Sequence, residues 1–170
     1  MSHDLKIRFA TASDAPLILQ FIKELAEYER LLHEVVATEE QLLKTLFGSK
    51  AYGEVIIGYL DKKPVSFALF FHNYSTFLAK PGLYLEDLYV RPEARGQGIG
   101  QIMLAFLAKL AKDRDCGRFE WWVLDWNETA IKFYEKLGAK PMDEWTVHRV
   151  SGQALDELAA NYTELTPMQC

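Results

Sequence analysis

LYLEDLYVRPEARGQGIGQIMLAFLAKLAKDR, residues 83–114, decides the fold. Its first eight residues are apolar around two carboxylates, Glu86 and Asp87, and read as a strand. Its last fourteen repeat apolar residues at helical spacing and finish on basic side chains, which suit a helix C-terminus. Between them stand Arg91 and Arg95, then glycines at alternating positions: Gly96, Gly98 and Gly100. Glycine admits unusual torsions and close approach by a ligand. The first N–H groups of a helix have no partner inside it and favour an anion. A strand that hands over to a helix through bare backbone, with Arg95 at its edge, therefore reads as a phosphate cradle, suited to a pyrophosphate. A plain turn and helix cap is the alternative. A nucleotide P-loop is excluded, because no Gly-Lys-Ser/Thr occurs. The dinucleotide fingerprint fails too, since Gln101 stands where its third glycine would fall.

Working outward, KIRFA (6–10) predicts a short strand, and Ser13 with Pro16 opens a helix carrying Leu17, Ile18, Phe21, Ile22 and Leu25. TEEQ (38–41) is a capping-box pattern before a helix over 42–47. YGEVIIGYL (52–60) and PVSFALFFHN (64–73) flank DKK and predict a hairpin, followed by a looser segment, YSTFLAKPG. RFEWWVL (118–124) predicts another strand, which sends Trp121 and Trp122 to opposite faces. Asn127 caps a helix that Gly138 ends, residues 145–150 predict a last strand, and a short helix follows Ser151. Hairpins first and alternation later give an α/β (α+β) fold, a mixed, mostly antiparallel twisted sheet with helices on both faces. The 170 residues suit one domain, its core over about 5–150 and a C-terminal helix and tail over 151–170.

A net charge of −5 argues against nucleic acid and leaves room for a cationic small substrate. Cys116 and Cys170 form no paired motif, and His33, His72 and His148 lack metal-ligand spacing, so no disulfide framework and no metal site are expected. MSHDLKIRFA lacks the apolar stretch of a signal peptide, and no window is long and apolar enough for a membrane span. The expectation is a cytoplasmic protein with no membrane partner.

RGQGIG resembles the acetyl-coenzyme A loop of the GNAT N-acetyltransferase superfamily, with Arg95, Gly98 and Gly100 at the three positions of its pattern. KELAEYERL, YLEDLYVRPEARGQGIG and VLDWNETAIKFYEKLGA together resemble the spermidine/spermine (diamine) acetyltransferase group, and most of all its thialysine branch. The resemblance spans roughly residues 5–150 and implies acetyl-CoA as co-substrate, a small-molecule amine as acceptor, and a homodimer.

Acetyl transfer from a thioester needs a neutral amine, a stabilised oxygen and a protonated leaving thiolate. The resemblance implies Tyr134 as the general acid; by periodicity alone it packs with Ile131 and Phe133. Glu86 and Asp87 interrupt an apolar strand, and alternation turns one of them to a cleft; the resemblance favours Glu86 as the substrate-side carboxylate. It also implies Tyr28, Glu29 and Trp145 on the substrate side. For the coenzyme it implies backbone from Leu88, Tyr89 and Val90, a cradle over Arg95, Gly96, Gln97, Gly98, Ile99, Gly100 and Gln101, and contacts from Asn127 and Lys136. Asn127 has a local role as a cap as well. Which amine is taken stays open between a lysine-like amino acid such as thialysine and a polyamine, with protein amines or a non-catalytic acyl-coenzyme A sensor as other readings.

Overall fold

Five strands form one sheet in the order β1-β2-β3-β4-β5. They are β1 (Lys6–Phe9), β2 (Glu54–Leu60), β3 (Lys63–Ser75), β4 (Lys80–Val90) and β5 (Arg118–Trp121). The computed structural model describes residues 5–162, in two compact units that divide between Trp122 and Val123. The sheet lies in the first unit. Its first four strands are antiparallel neighbours. β5 runs parallel to β4, which requires a crossover, and α3 (Ile99–Asp113) supplies it.

Helices cover both faces. On one, Ile18, Phe21 and Leu25 of α1 (Ala15–Tyr28) and Leu42 of α2 (Glu39–Phe47) pack on Val55, Ile57, Phe67 and Tyr89. Phe21 stacks on Phe67 at 5.1 Å between ring centroids. On the other, α3 buries Met103 and Leu107 completely. The Met103 sulfur would lie 3.2 Å from a Cβ built on Gly58, which alternation turns away from the Val55 and Ile57 side.

The β2–β3 hairpin turns on Asp61 and Lys62, with φ of 49° and 65°. Positive φ at both positions is what a two-residue loop between twisted strands demands. Thr38 caps α2 with the expected box: its hydroxyl accepts from the Gln41 N–H, and the Gln41 side chain accepts from the Thr38 N–H.

Four local expectations need correction. Ser13 does not cap α1. A short 3-10 turn over Ala12–Asp14 precedes the helix, and the Asp14 carboxylate accepts from the Thr11 N–H while holding Arg8 with both oxygens. A carboxylate gains more there than a hydroxyl, because it meets a guanidinium as well as the backbone. YSTFLAKPG is not loose: Tyr74 pairs with Pro81 and Ser75 with Lys80, so β3 and β4 run on to the hairpin end. β5 stops at Trp121, one residue before Trp122. Residues 145–150 form no strand and are exposed throughout; their alternating pattern has no ladder partner among the described residues, and a strand needs one.

The second unit holds α4 (Glu128–Lys136) and α5 (Gly152–Ala160). Asn127 caps α4 by accepting from the Ala130 N–H at 3.2 Å. Gly138 ends it at φ 89°, with its N–H donating to Glu135 and the Ala139 N–H donating to Tyr134, the paired closure of a Schellman motif.

Candidate active site

The site begins at an irregularity. Tyr89 pairs with Phe67 and Asp87 with Leu69, but Phe70 pairs with Leu85. Glu86 is thus an extra residue on β4, a β-bulge. The alternation expected along LYLEDLYV breaks there: Leu85 goes to the opposite face from Asp87 and Tyr89, which stay on the α1 side. The ladder to β5 ends at Leu85 and Trp121, so past the bulge β4 keeps its β3 pairing alone in the described sheet.

Three carboxylates gather around this bulge. Asp87 is partly buried, and its pKa is raised to about 7, by burial first, then by the charges of Glu86 and Glu29. Burial also raises Glu29, which follows the last residue of α1. Glu86 itself is exposed. Like charges crowded beside a partly desolvated group disfavour ionisation, and an arriving cation relieves that cost. The arrangement fits an ammonium group, and it includes a carboxylate basic enough to receive a proton near neutral pH.

The arginines divide their work. Arg91 donates to both oxygens of Glu24 at 2.8 and 3.0 Å and to the Pro64 carbonyl at 2.9 Å, with its guanidinium 4.7 Å from the Phe21 ring centroid. It ties α1 to the sheet. Arg95 donates from Nε to the Val90 carbonyl at 2.8 Å. Its guanidinium lies over two rings, 5.0 Å from the centroid of Tyr28 and 5.5 Å from that of Tyr89.

The glycine stretch is open backbone at the start of α3. Gly96 and Gly98 hold φ of 77° and 78°, and nothing lies within 4 Å of a Cβ built on either. Their requirement is therefore conformational, and the space beside them is open. Gly98 is the N-cap of α3 and brings no side chain to the first N–H groups of the helix; Ile102 closes the first turn onto the Gly98 carbonyl. Ile99 is buried and anchors that turn, while Gln97 and Gln101 are exposed. These residues suit a pyrophosphate. The Tyr89 ring belongs to the core, so at Leu88, Tyr89 and Val90 it is backbone that a pantetheine arm would meet.

Glu29, Glu86 and Asp87 thus come together, with Tyr28 and Arg95 stacked at the end of α1. Tyr134, Asn127, Lys136 and Trp145 belong to the second unit. There Tyr134 is partly buried with its ring 5.4 Å from that of Phe133, Lys136 is exposed in the last turn of α4, and Trp145 is exposed in irregular chain. Sequence reasoning missed the bulge and the Arg95 stack. No residue pattern in LEDLYV marks the one, and the other joins residues 67 positions apart, Tyr28 and Arg95. Among the described residues no group of His, Cys, Asp or Glu has a metal-holding arrangement, and no helix is long and apolar enough to cross a membrane.

The acetyltransferase (GNAT) family matches residues 19–139. A thialysine N-epsilon-acetyltransferase of Sus scrofa is 38% identical over 90% of this chain and 96% of its own length. An L-ornithine N5-acetyltransferase of Arabidopsis thaliana is 34% identical over 90% of this chain and 87% of its own. Among solved structures, an integron cassette protein from the mobile metagenome of V. cholerae superposes with a TM-score of 0.79 at 26% identity, covering 93% of this chain and 99% of that one.

Proposed function

From the premise that the chain belongs to the GNAT acetyltransferase family and is an N-acetyltransferase, we propose that it moves acetyl from acetyl-CoA to a primary amine of a small molecule, a thialysine-, lysine- or ornithine-like amino acid or a polyamine. The observation that carries this reading is the trio of Glu29, Glu86 and Asp87 at the β4 bulge, with Asp87 titrating near 7.

The coenzyme supplies the activated acetyl group and a good leaving thiolate. The open cradle at Gly96 and Gly98 and the bare first turn of α3 fit its pyrophosphate, and the backbone at Leu88–Val90 fits its arm. Lys136 and Asn127 serve the coenzyme as the resemblance implies, and Trp145 the substrate. The trio draws in the substrate as ammonium. Asp87, with Glu86 exposed beside it, accepts a proton directly or through water, which frees the amine lone pair. Nitrogen then bonds to the thioester carbonyl carbon, whose oxygen β4 backbone N–H groups stabilise, the carbon–sulfur bond breaks, and the nitrogen gives up its second proton to water as the amide forms. Tyr134 gives its proton to the departing sulfur. That role rests on the motif FYEKLGA. We also take the protein to act as a cytoplasmic homodimer.

Mass spectrometry of products from acetyl-CoA with thialysine, ornithine, spermidine and a lysine peptide tests the reading. Monoacetylated small amine is expected. Acetylation of the peptide alone moves the function to protein substrates. Tyr134→Phe is expected to lower kcat by roughly a hundredfold, as for a lost general acid, and unchanged turnover removes that assignment.

A further inference from the structure

The end of β4 is held from one edge. Past the bulge it pairs with β3 alone in the described sheet, and its open edge is where a pantetheine arm would lie. The glycines that follow bring no side chain to hold the chain in place, and nothing lies within 4 Å of a Cβ built on Gly96 or Gly98. Their position is therefore set from the flanks. On the helix side the anchor is the buried Ile99. On the strand side it is Arg91, the residue that follows β4. Its N–H donates to the Val65 carbonyl at 2.9 Å, and its carbonyl accepts from the Ala94 N–H at 2.9 Å, which closes the turn leading to the glycines. Its side chain engages all three nitrogens: Nε and Nη2 on the two oxygens of Glu24, and Nη1 on the Pro64 carbonyl. The guanidinium also lies over the Phe21 ring. The two side chains are 18% and 24% exposed, so the pair is screened less than a bridge in open solvent. One residue thus joins β3, the C-terminal half of α1 and the turn before the glycines.

We propose that Arg91 and Glu24 are a positioning pair for the coenzyme: without meeting the ligand, they hold the one-sided end of β4 and the glycine turn in the binding geometry, and so set coenzyme affinity. The inference rests on the acetyl-CoA reading of the glycine stretch and goes beyond it, by assigning part of that affinity to two side chains on the α1 side of the sheet. A strand end and loop that are already ordered lose less freedom when the coenzyme binds. The fork matters as well as the charge, because it meets three acceptors on two elements at once.

The test is calorimetric binding of coenzyme A to the wild type, Arg91→Gln, Arg91→Lys, Glu24→Gln and the double variant Arg91→Gln/Glu24→Gln. It is run at a temperature where each is folded by circular dichroism, beside turnover with acetyl-CoA and thialysine. Leu42→Ala, a cavity in the core under α1 and α2, controls for lost stability alone. Arg91→Gln is expected to weaken coenzyme A affinity by at least roughly tenfold, as for a lost preorganising contact. Its KM for acetyl-CoA should rise in step while kcat at saturating acetyl-CoA holds. Arg91→Lys is expected to recover part of the affinity, since lysine keeps charge and loses the fork. The double variant should lose no more than Arg91→Gln, the non-additivity of two residues acting as a unit. Leu42→Ala should melt lower and bind coenzyme A as the wild type does. If Arg91→Gln does not fold, Arg91→Lys and Glu24→Gln carry the same comparison. Variants that melt lower yet bind coenzyme A as tightly as the wild type would overturn the proposal, leave the pair a structural tie and keep the acetyl-CoA reading intact. So would a Leu42→Ala that loses as much affinity as Arg91→Gln for the same drop in melting temperature. A wild type that does not bind coenzyme A would overturn the acetyl-CoA reading and the pair's role together.

Discussion

In the proposed reaction Asp87 is the residue on which the chemistry turns. Both carboxylates in LEDLYV are visible in the sequence; alternation does not rank them, and the resemblance favours Glu86. The ranking comes from a register shift: the bulge puts Asp87 on the α1 face among partly buried surroundings and leaves Glu86 exposed. Its raised pKa has a thermodynamic consequence. In the folded protein Asp87 holds a proton up to about 7, whereas the unfolded chain releases it near 3.8. Folding stability from this group is therefore full below about 3.8 and declines as pH rises toward 7, by up to about 4 kcal/mol at 1.36 kcal/mol per unit. Asp87→Asn, which carries no charge to desolvate, is expected to flatten that decline and to melt higher than the wild type at pH 8. Thermal melts from pH 4 to 8 check it. A wild type whose stability rises over that window contradicts the assigned environment.

At the scale of elements, the strand–glycine–helix passage was legible because each part follows its own physics: apolar alternation, positive φ and helical period. The boundaries follow suit, with α3 ending at Asp113 and α4 capped by Asn127. The bulge was not legible, since it depends on how β3 and β4 align over ten paired positions and not on either strand alone. The strand expected over 145–150 failed for a related reason, because alternation describes a face but does not supply a neighbour. The cradle makes a sharp prediction. At Gly98 a Cβ would strike nothing, so Gly98→Ala is expected to cost about 1–2 kcal/mol of stability through φ strain alone. It is also expected to weaken coenzyme binding by at least roughly tenfold, because the added methyl narrows the approach to the N–H groups. Calorimetry with coenzyme A measures this, and unaltered affinity would move the pyrophosphate elsewhere.

For the whole molecule, the composition and the order of elements foretold the mixed sheet with helices on both faces, since hairpins force antiparallel pairing and a crossover helix permits the one parallel pair. The proposed dimer belongs to this scale. Tyr74, Phe77 and Leu78 near the β3–β4 hairpin end and Trp122 after β5 are exposed apolar groups of the kind a partner covers. Sedimentation at micromolar concentration is expected to show a species of twice the 19.5 kDa chain, and a lone 19.5 kDa species removes the dimer. The most direct measurement is amine-dependent thiol release from acetyl-CoA, with thialysine as acceptor, followed from pH 5.5 to 9 in the wild type and Asp87→Asn. Asp87 must be ionised to draw in the ammonium and accept its proton, so wild-type kcat/KM is expected to climb as pH rises through about 7. Asp87→Asn should lose that inflection and at least roughly a hundredfold in rate. Thiol release that needs no amine, or that is the same in both proteins at every pH, would contradict proton removal at the bulge.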